Sequence, residues 1–210
     1  MSESERRIII EVADGFRREN NEKTHILNGV EKYEVKAIPN KKNETFYRGH
    51  LFQVDPIVGI TAPRFVPSLF GEARGEDRKR VPELGVALTS TDKANPYVAM
   101  TTDYRIAFDF LKKRMKEEGI TEGYITEIKP NSYLDTRNVL MSARDSNTEH
   151  GMNKNKEVVV AGRVNPKEIK SSQRITNIEE YEQSQKHKKA VQKEEIKDRI
   201  REERERGEKM

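Results

Sequence analysis

Apolar residues come in short runs separated by charged stretches, and the period of each run predicts its structure. Over residues 3–20, Ile9, Val12 and Phe16 recur at helical spacing with charges between them, so a first helix is expected, although Gly15 weakens it. Asn20-Asn21 and Asn28-Gly29 predict a loop, and 33–38 a short strand stopped by Pro39. Residues 45–50 read as a buried strand and 97–101 as another. Thr102 and Asp103 then suit the cap of a helix running through Ile106, Ala107, Phe110 and Leu111 to Glu118, ended by Gly119. Residues 123–128 alternate apolar and polar, which predicts a half-buried strand. Val158, Val159 and Val160 are three β-branched residues in a row, a buried strand closed by Gly162 and by the turn at Asn165-Pro166. Residues 170–175 are the last expected strand.

Between these runs the chain is polar. Residues 55–86 are broken by Pro56, Pro63, Pro67 and Pro82 and hold a charged surface loop at 71–80, with a plausible strand at 85–92. Residues 141–155 are a long polar loop. From 176 onward the chain is strongly charged. Thr176 and Glu179 have capping-box spacing, and Ile178, Tyr181, Val191, Ile196 and Ile200 are too sparse for a seam. A solvated helix held by charge pairs is expected, with partner binding as the alternative.

Composition narrows the picture. A chain of 210 residues makes one sizeable domain with an extra arm. Hydrophobic residues are 33% and charged residues 36%, so part of the chain is not core. The net charge is only +4, with both signs interleaved, and creates no global field for nucleic acid. Cysteine is absent, which excludes disulfides and cysteine-ligated zinc. His25, His50, His150 and His187 lack metal-ligand spacing, so no metal is expected. No apolar run reaches the roughly 20 residues of a membrane span. The first residues carry acidic side chains around a short apolar patch, unlike a cleavable secretory signal.

Three places carry chemistry. Glu157 stands where the Val158–Val160 run begins, a position that suits an acid open to a cleft; it equally suits an ordinary solvated carboxylate. Arg48 ends an aromatic strand, where a fixed guanidinium can grip a phosphate or ribose, and Gly49 would let a ligand approach the backbone. A salt-bridge partner is the plain alternative. Thr101 and Thr102 end a strand before a helix, as caps or as positioning hydroxyls.

Taken together, Tyr47-Arg48-Gly49, Met100-Thr101-Thr102 and Asn155-Lys156-Glu157 with the Val-rich strand, Gly162 and Pro166 after it resemble the three motifs of mono-ADP-ribosyltransferases of the cholera-toxin and pierisin type. The resemblance runs from about Phe46 to Ile169. It implies an α+β fold: an ADP-ribosyltransferase-like split β-sandwich core with an N-terminal helix and a long charged C-terminal helix. The catalytic domain would be 1–175 and the charged arm 176–210. It implies NAD as co-substrate and no metal. Glu157 would stabilise the ribose cation, Thr101, with Thr102 beside it, would hold Glu157, and Arg48 would anchor NAD. Gly49 and His50 would offer backbone contacts on the adenine side. Asn155 occupies the place that steers the nucleophile, where the family more often has Gln or Glu.

The same resemblance implies a bacterial toxin or effector, made in the bacterial cytoplasm and delivered to the host cytosol without a cleavable signal, that modifies a host protein. Its charged C-terminal end also resembles the signals of effectors injected through type IV systems. Modification of nucleobases in DNA or RNA, or simple NAD hydrolysis, are variants. A different class, a non-catalytic nucleic-acid- or protein-binding module with a helical arm, predicts no NAD turnover.

Overall fold

The computed structural model describes residues 1–28, 32–65, 84, 95–137, 139–142, 149–151, 156–179 and 181. The architecture is α+β, with helices packed on a large antiparallel sheet. Helix α1 spans Glu3–Glu22 and opens with a capping box in which Ser2 and Glu5 satisfy each other's backbone N–H groups. Its buried stripe is Ile9, Ala13, Arg17 and Asn20. Val12, expected inside, is 52% exposed. The helix meets Gly162 through Ala13, so the small residue faces the core and Val12 is rotated out.

The strands are β1 (Thr24–Asn28), β2 (Lys32–Pro39), β3 (Phe46–His50), β4 (Ile60–Thr61), β5 (Tyr97–Thr101), β6 (Gly123–Ile128), β7 (Ser132–Asp135), β8 (Leu140–Ser142), β9 (Glu149–Gly151), β10 (Glu157–Ala161), β11 (Arg163–Val164) and β12 (Ile169–Ile175). Helix α2 is Tyr104–Glu118. Eight strands form one sheet in the order β1-β2-β7-β10-β5-β3-β6-β12. One joint in it is weak. β10 and β5 share five register pairs and β3 and β6 share five, but β3 and β5 share only Tyr47 opposite Thr101. The sheet is therefore split into a half that ends at β5 and a half that begins at β3.

β10 runs through the middle of the first half, and both of its faces are covered. Val158 and Val160 join Ile9, Ala13, Phe46, Val98 and Met100 on the α1 side. Val159 and Ala161 join Leu27, Val35, Tyr97 and Leu134 on the other. A strand covered on both faces needs continuous rather than alternating apolar residues. In the second half α2 lies on β3 and β6, because Gly49 and Gly123 leave room for Ala107, Leu111 and Met115. This contact fixes the helix rotation: Phe108 is buried, and Phe110, expected inside, is 49% exposed.

Three further expectations change. The loop expected around Asn20-Asn21 and Asn28-Gly29 contains β1, an edge strand. The polar stretch 141–155 contributes to a short hairpin of β8 and β9. After β12 the chain turns at Asn177, not Thr176: the Asn177 Oδ1 accepts from the Glu179 N–H and its carbonyl from the Tyr181 N–H. Ile178 and Tyr181 pack against α2, not into solvent. The expected strand at 85–92, the loop at 71–80 and most of the C-terminal arm lie outside the described residues.

Candidate functional site

The site is assembled on three neighbouring strands, β10, β5 and β3, that are distant in sequence. Glu157 lies directly opposite Thr101, and Thr101 directly opposite Tyr47. The Thr136 hydroxyl donates to the Glu157 carbonyl at 2.7 Å, and the Thr102 N–H donates to the Lys156 carbonyl at 3.4 Å. Glu157 thus turns its backbone polar groups toward β7, and Thr101 turns its own toward β3. Glu157 and Thr101 form a non-hydrogen-bonded pair, the arrangement that brings opposed side chains closest. β7 pairs only as far as Asp135 opposite Val158, so the fully buried Thr136 hydroxyl replaces the missing strand neighbour.

Thr101 is buried, and its Oγ1 accepts from the Asp103 N–H at 3.1 Å. Asp103 caps α2 by accepting from the Arg105 N–H, and it also receives Lys156 Nζ at 3.3 Å. These contacts hold its carboxyl down at about 2, with Arg105 the largest cause. Lys156 has φ of 49°, a left-handed conformation that non-glycine residues seldom adopt. The backbone is thus turned sharply at the residue before Glu157, and a tether to the helix cap holds the turn.

Arg48 sits in the split. Alternation along β3 sends its side chain to the face opposite Tyr47. Beyond the Tyr47–Thr101 pair β5 has no strand partner on this side among the described residues, and Arg48 Nη1 donates to the Ala99 carbonyl. Burial lowers its pKa to about 10, helped by the like charge of Arg114 and opposed by Glu157. It is still a cation at neutral pH. Burial raises the Glu157 carboxyl to about 7, against the pull of Arg48. Each feels the other's charge, yet among the described residues no ion pair joins them. A desolvated acid titrating near neutrality beside a desolvated cation marks a functional candidate.

The His50 ring is held on both sides. Its Nδ1–H donates to the Phe52 carbonyl, and its Nε2 accepts from Thr126 Oγ1 at 2.7 Å, which in turn meets Ser172 Oγ at 2.9 Å. Both ring nitrogens are used, and the ring stacks on Tyr124. Burial and the Arg48 charge press its pKa down to about 4, so it is neutral. Gly49 also has a packing reason: a Cβ there would lie 2.4 Å from the Ala107 carbonyl and 2.8 Å from Leu111 Cβ. The missing side chain admits α2.

Glu157 and Thr101 are therefore brought together as a cross-strand pair, with Thr102 next along the chain. Arg48, based on the other face of β3, bonds to the Ala99 carbonyl at the β3–β5 joint, near enough for its charge and that of Glu157 to act on each other, with Gly49 and His50 following it along β3. Asn155 lies outside the described residues. Tyr47, Thr136, Lys156 and Arg114 were not singled out from sequence. Of these, Tyr47 and Lys156 lie inside the matched motifs, where no role was assigned to them. A cavity of about 450 Å³ lined by Ile57, Asn131, Arg163, Asn165 and Glu168 belongs to the α1 anchor, where Arg163 and Glu168 are already engaged. Among the described residues no His, Cys, Asp and Glu cluster could hold a metal, and no helix is long and apolar enough to cross a membrane. No protein-family model matches the chain, and no curated protein matches its sequence.

Proposed function

We propose that the chain is an NAD-dependent mono-ADP-ribosyltransferase with a split β-sandwich core, acting as a bacterial effector on a host protein. The observation that carries the reading is the adjacency of β10, β5 and β3. It sets Glu157 opposite Thr101, and Arg48 spans the same β3–β5 joint to the Ala99 carbonyl, close enough for its charge to act on Glu157. These are the three residues that the motif resemblance selects, and nothing in their spacing along the chain requires them to meet.

The chemistry suits the groups. The bond between ribose C1′ and the nicotinamide nitrogen breaks with both electrons going to nicotinamide, which leaves neutral. The ribose becomes oxocarbenium-like. Ionised Glu157 stabilises that positive charge, more strongly in a desolvated site than in water. Thr101 on the neighbouring strand fixes its position. Arg48 spends one donor on Ala99, and the rest of its fork suits the pyrophosphate. The acceptor then bonds to C1′ and loses a proton.

The test is nicotinamide release from NAD in the presence of lysate. Glu157→Gln should lower the rate by about 10²–10³-fold while the circular dichroism spectrum is unchanged. Release at the wild-type rate overturns the proposal. Protease and nuclease digestion of the labelled product then assigns the acceptor to protein or to nucleic acid.

A further inference from the structure

The joint between the two sheet halves is propped by a row of tyrosines that ends in the C-terminal arm. Thr101 meets β3 only at Tyr47. The Tyr47 ring packs edge-on against Tyr104, the first residue of α2, with centroids 5.4 Å apart. The Tyr104 hydroxyl is hydrogen-bonded to the Tyr181 hydroxyl and also reaches Gln173 Oε1 at 3.4 Å. The Tyr181 ring lies on Phe108 at 5.1 Å, and Ile178 packs into the same cluster. A continuous set of contacts thus runs from the arm, across the N-terminal turn of α2, to the strand pair that holds Thr101.

We infer that Tyr181 is a positioning residue for the candidate site, acting through Tyr104 and Tyr47 on the β3–β5 joint. The physical case is that a single register pair is a weak link. Elsewhere the sheet is held by ladders of hydrogen bonds, but here a single register pair and the Arg48–Ala99 hydrogen bond join the halves, so whatever braces Tyr47 contributes to their spacing. That brace consists of one ring contact and one hydroxyl pair, and its outer member belongs to residues after the last strand. Docking of the arm's first turn therefore biases the spacing between Thr101 on one half and Arg48 on the other. The consequence for turnover rests on the proposed transferase activity; the mechanical coupling does not.

The experiment uses the full-length chain with Tyr181→Phe, which keeps the ring, and Tyr181→Ala, which removes the brace. Amide hydrogen exchange is followed at Thr101, whose N–H faces the joint, and at Val159, in the middle of the other half. Tyr181→Ala should speed exchange at Thr101 roughly tenfold, the scale of one lost hydrogen bond and its ring contact, with Val159 unchanged. Tyr181→Phe should fall between. With NAD, kcat should drop in the same order while KM stays within about twofold. Unchanged Thr101 exchange in Tyr181→Ala overturns the inference, as does equal acceleration at Thr101 and Val159, which would mean a global loss of stability. If the wild type releases no nicotinamide, the activity reading fails, and the exchange result still decides the coupling.

Discussion

Glu157 and Glu168 begin and nearly end the same stretch of chain, yet the two carboxylates are treated in opposite ways. Glu168 accepts Arg17 through two nitrogens, at 2.6 and 2.7 Å, together with the Asn131 and Asn165 N–H groups. Burial alone would raise its pKa, but Arg17 and the two backbone donors bring it below the ordinary value. Glu157 is desolvated too, has a distant cation rather than a paired one, and is raised to about 7. The α1 half buries its charges fully partnered: Arg163 likewise grips Asp14 through two nitrogens at 2.7 Å and donates to the Val58 carbonyl. The split holds its charges near each other but unmatched. The first arrangement makes a rigid base. The second leaves a carboxylate and a guanidinium with no ion pair between them among the described residues, which is what the proposed NAD site requires.

The largest effect should come from breaking the matched pair. Arg17→Ala leaves Glu168 buried with two backbone donors and no counter-charge, and should cost about 3–5 kcal/mol of unfolding free energy at pH 7. Denaturant titration measures it. A loss below about 1 kcal/mol would mean that Glu168 takes up a proton without penalty and that the contrast with Glu157 is false.

A smaller effect of opposite sign is expected at the unmatched acid. The folded-state pKa of Glu157 is raised from 4.5 to about 7 by burial. Between those values the folded chain keeps a proton that the unfolded chain has released, so stability falls as pH rises through that window. Glu157→Gln removes the penalty. It should stabilise the fold by about 2 kcal/mol at pH 8, allowing for partial exposure, and leave it unchanged at pH 4. His50, held near 4, titrates equally in both chains and cancels in the difference. A variant that is more stable at pH 4 than at pH 8, relative to wild type, reverses the sign and removes the desolvation argument.

What could be read from the sequence depended on how local the cause was. Val158–Val160 announced a strand buried on both faces because β-branched residues in a row have few other uses. Residues 97–101 and the helix after them were bounded by their own caps, Asp103 and Gly119. The helices' inward faces were misjudged at Val12 and Phe110, because glycines on other elements, Gly162 and Gly49, decide which residues can approach. β1 was missed because Ile26 is 43% exposed on an edge while the adjacent Leu27 is buried, so its apolar pair gives no alternation. The candidate site residues were found through motif resemblance, but their meeting depends on the strand order, which no local pattern encodes. Thr136 beneath Glu157 was given no role, since a buried hydroxyl that substitutes for a strand reads in sequence like any polar turn residue.

The smallest expected effect lies at Lys156, where the unmatched site borrows from the matched style. Its φ of 49° costs a side-chain-bearing residue about 1 kcal/mol that glycine does not incur. Its Nζ contact with Asp103 is solvent-exposed and returns at most about 1 kcal/mol. Lys156→Ala keeps the backbone cost and loses the tether, whereas Lys156→Gly loses both, though its freer unfolded chain takes back part of the gain. Unfolding midpoints in urea should therefore rank glycine at or above lysine, with alanine lowest, across a span of about 1 kcal/mol. An alanine variant more stable than the glycine variant would mean that this turn is not left-handed, and that Glu157 is aimed by its strand alone.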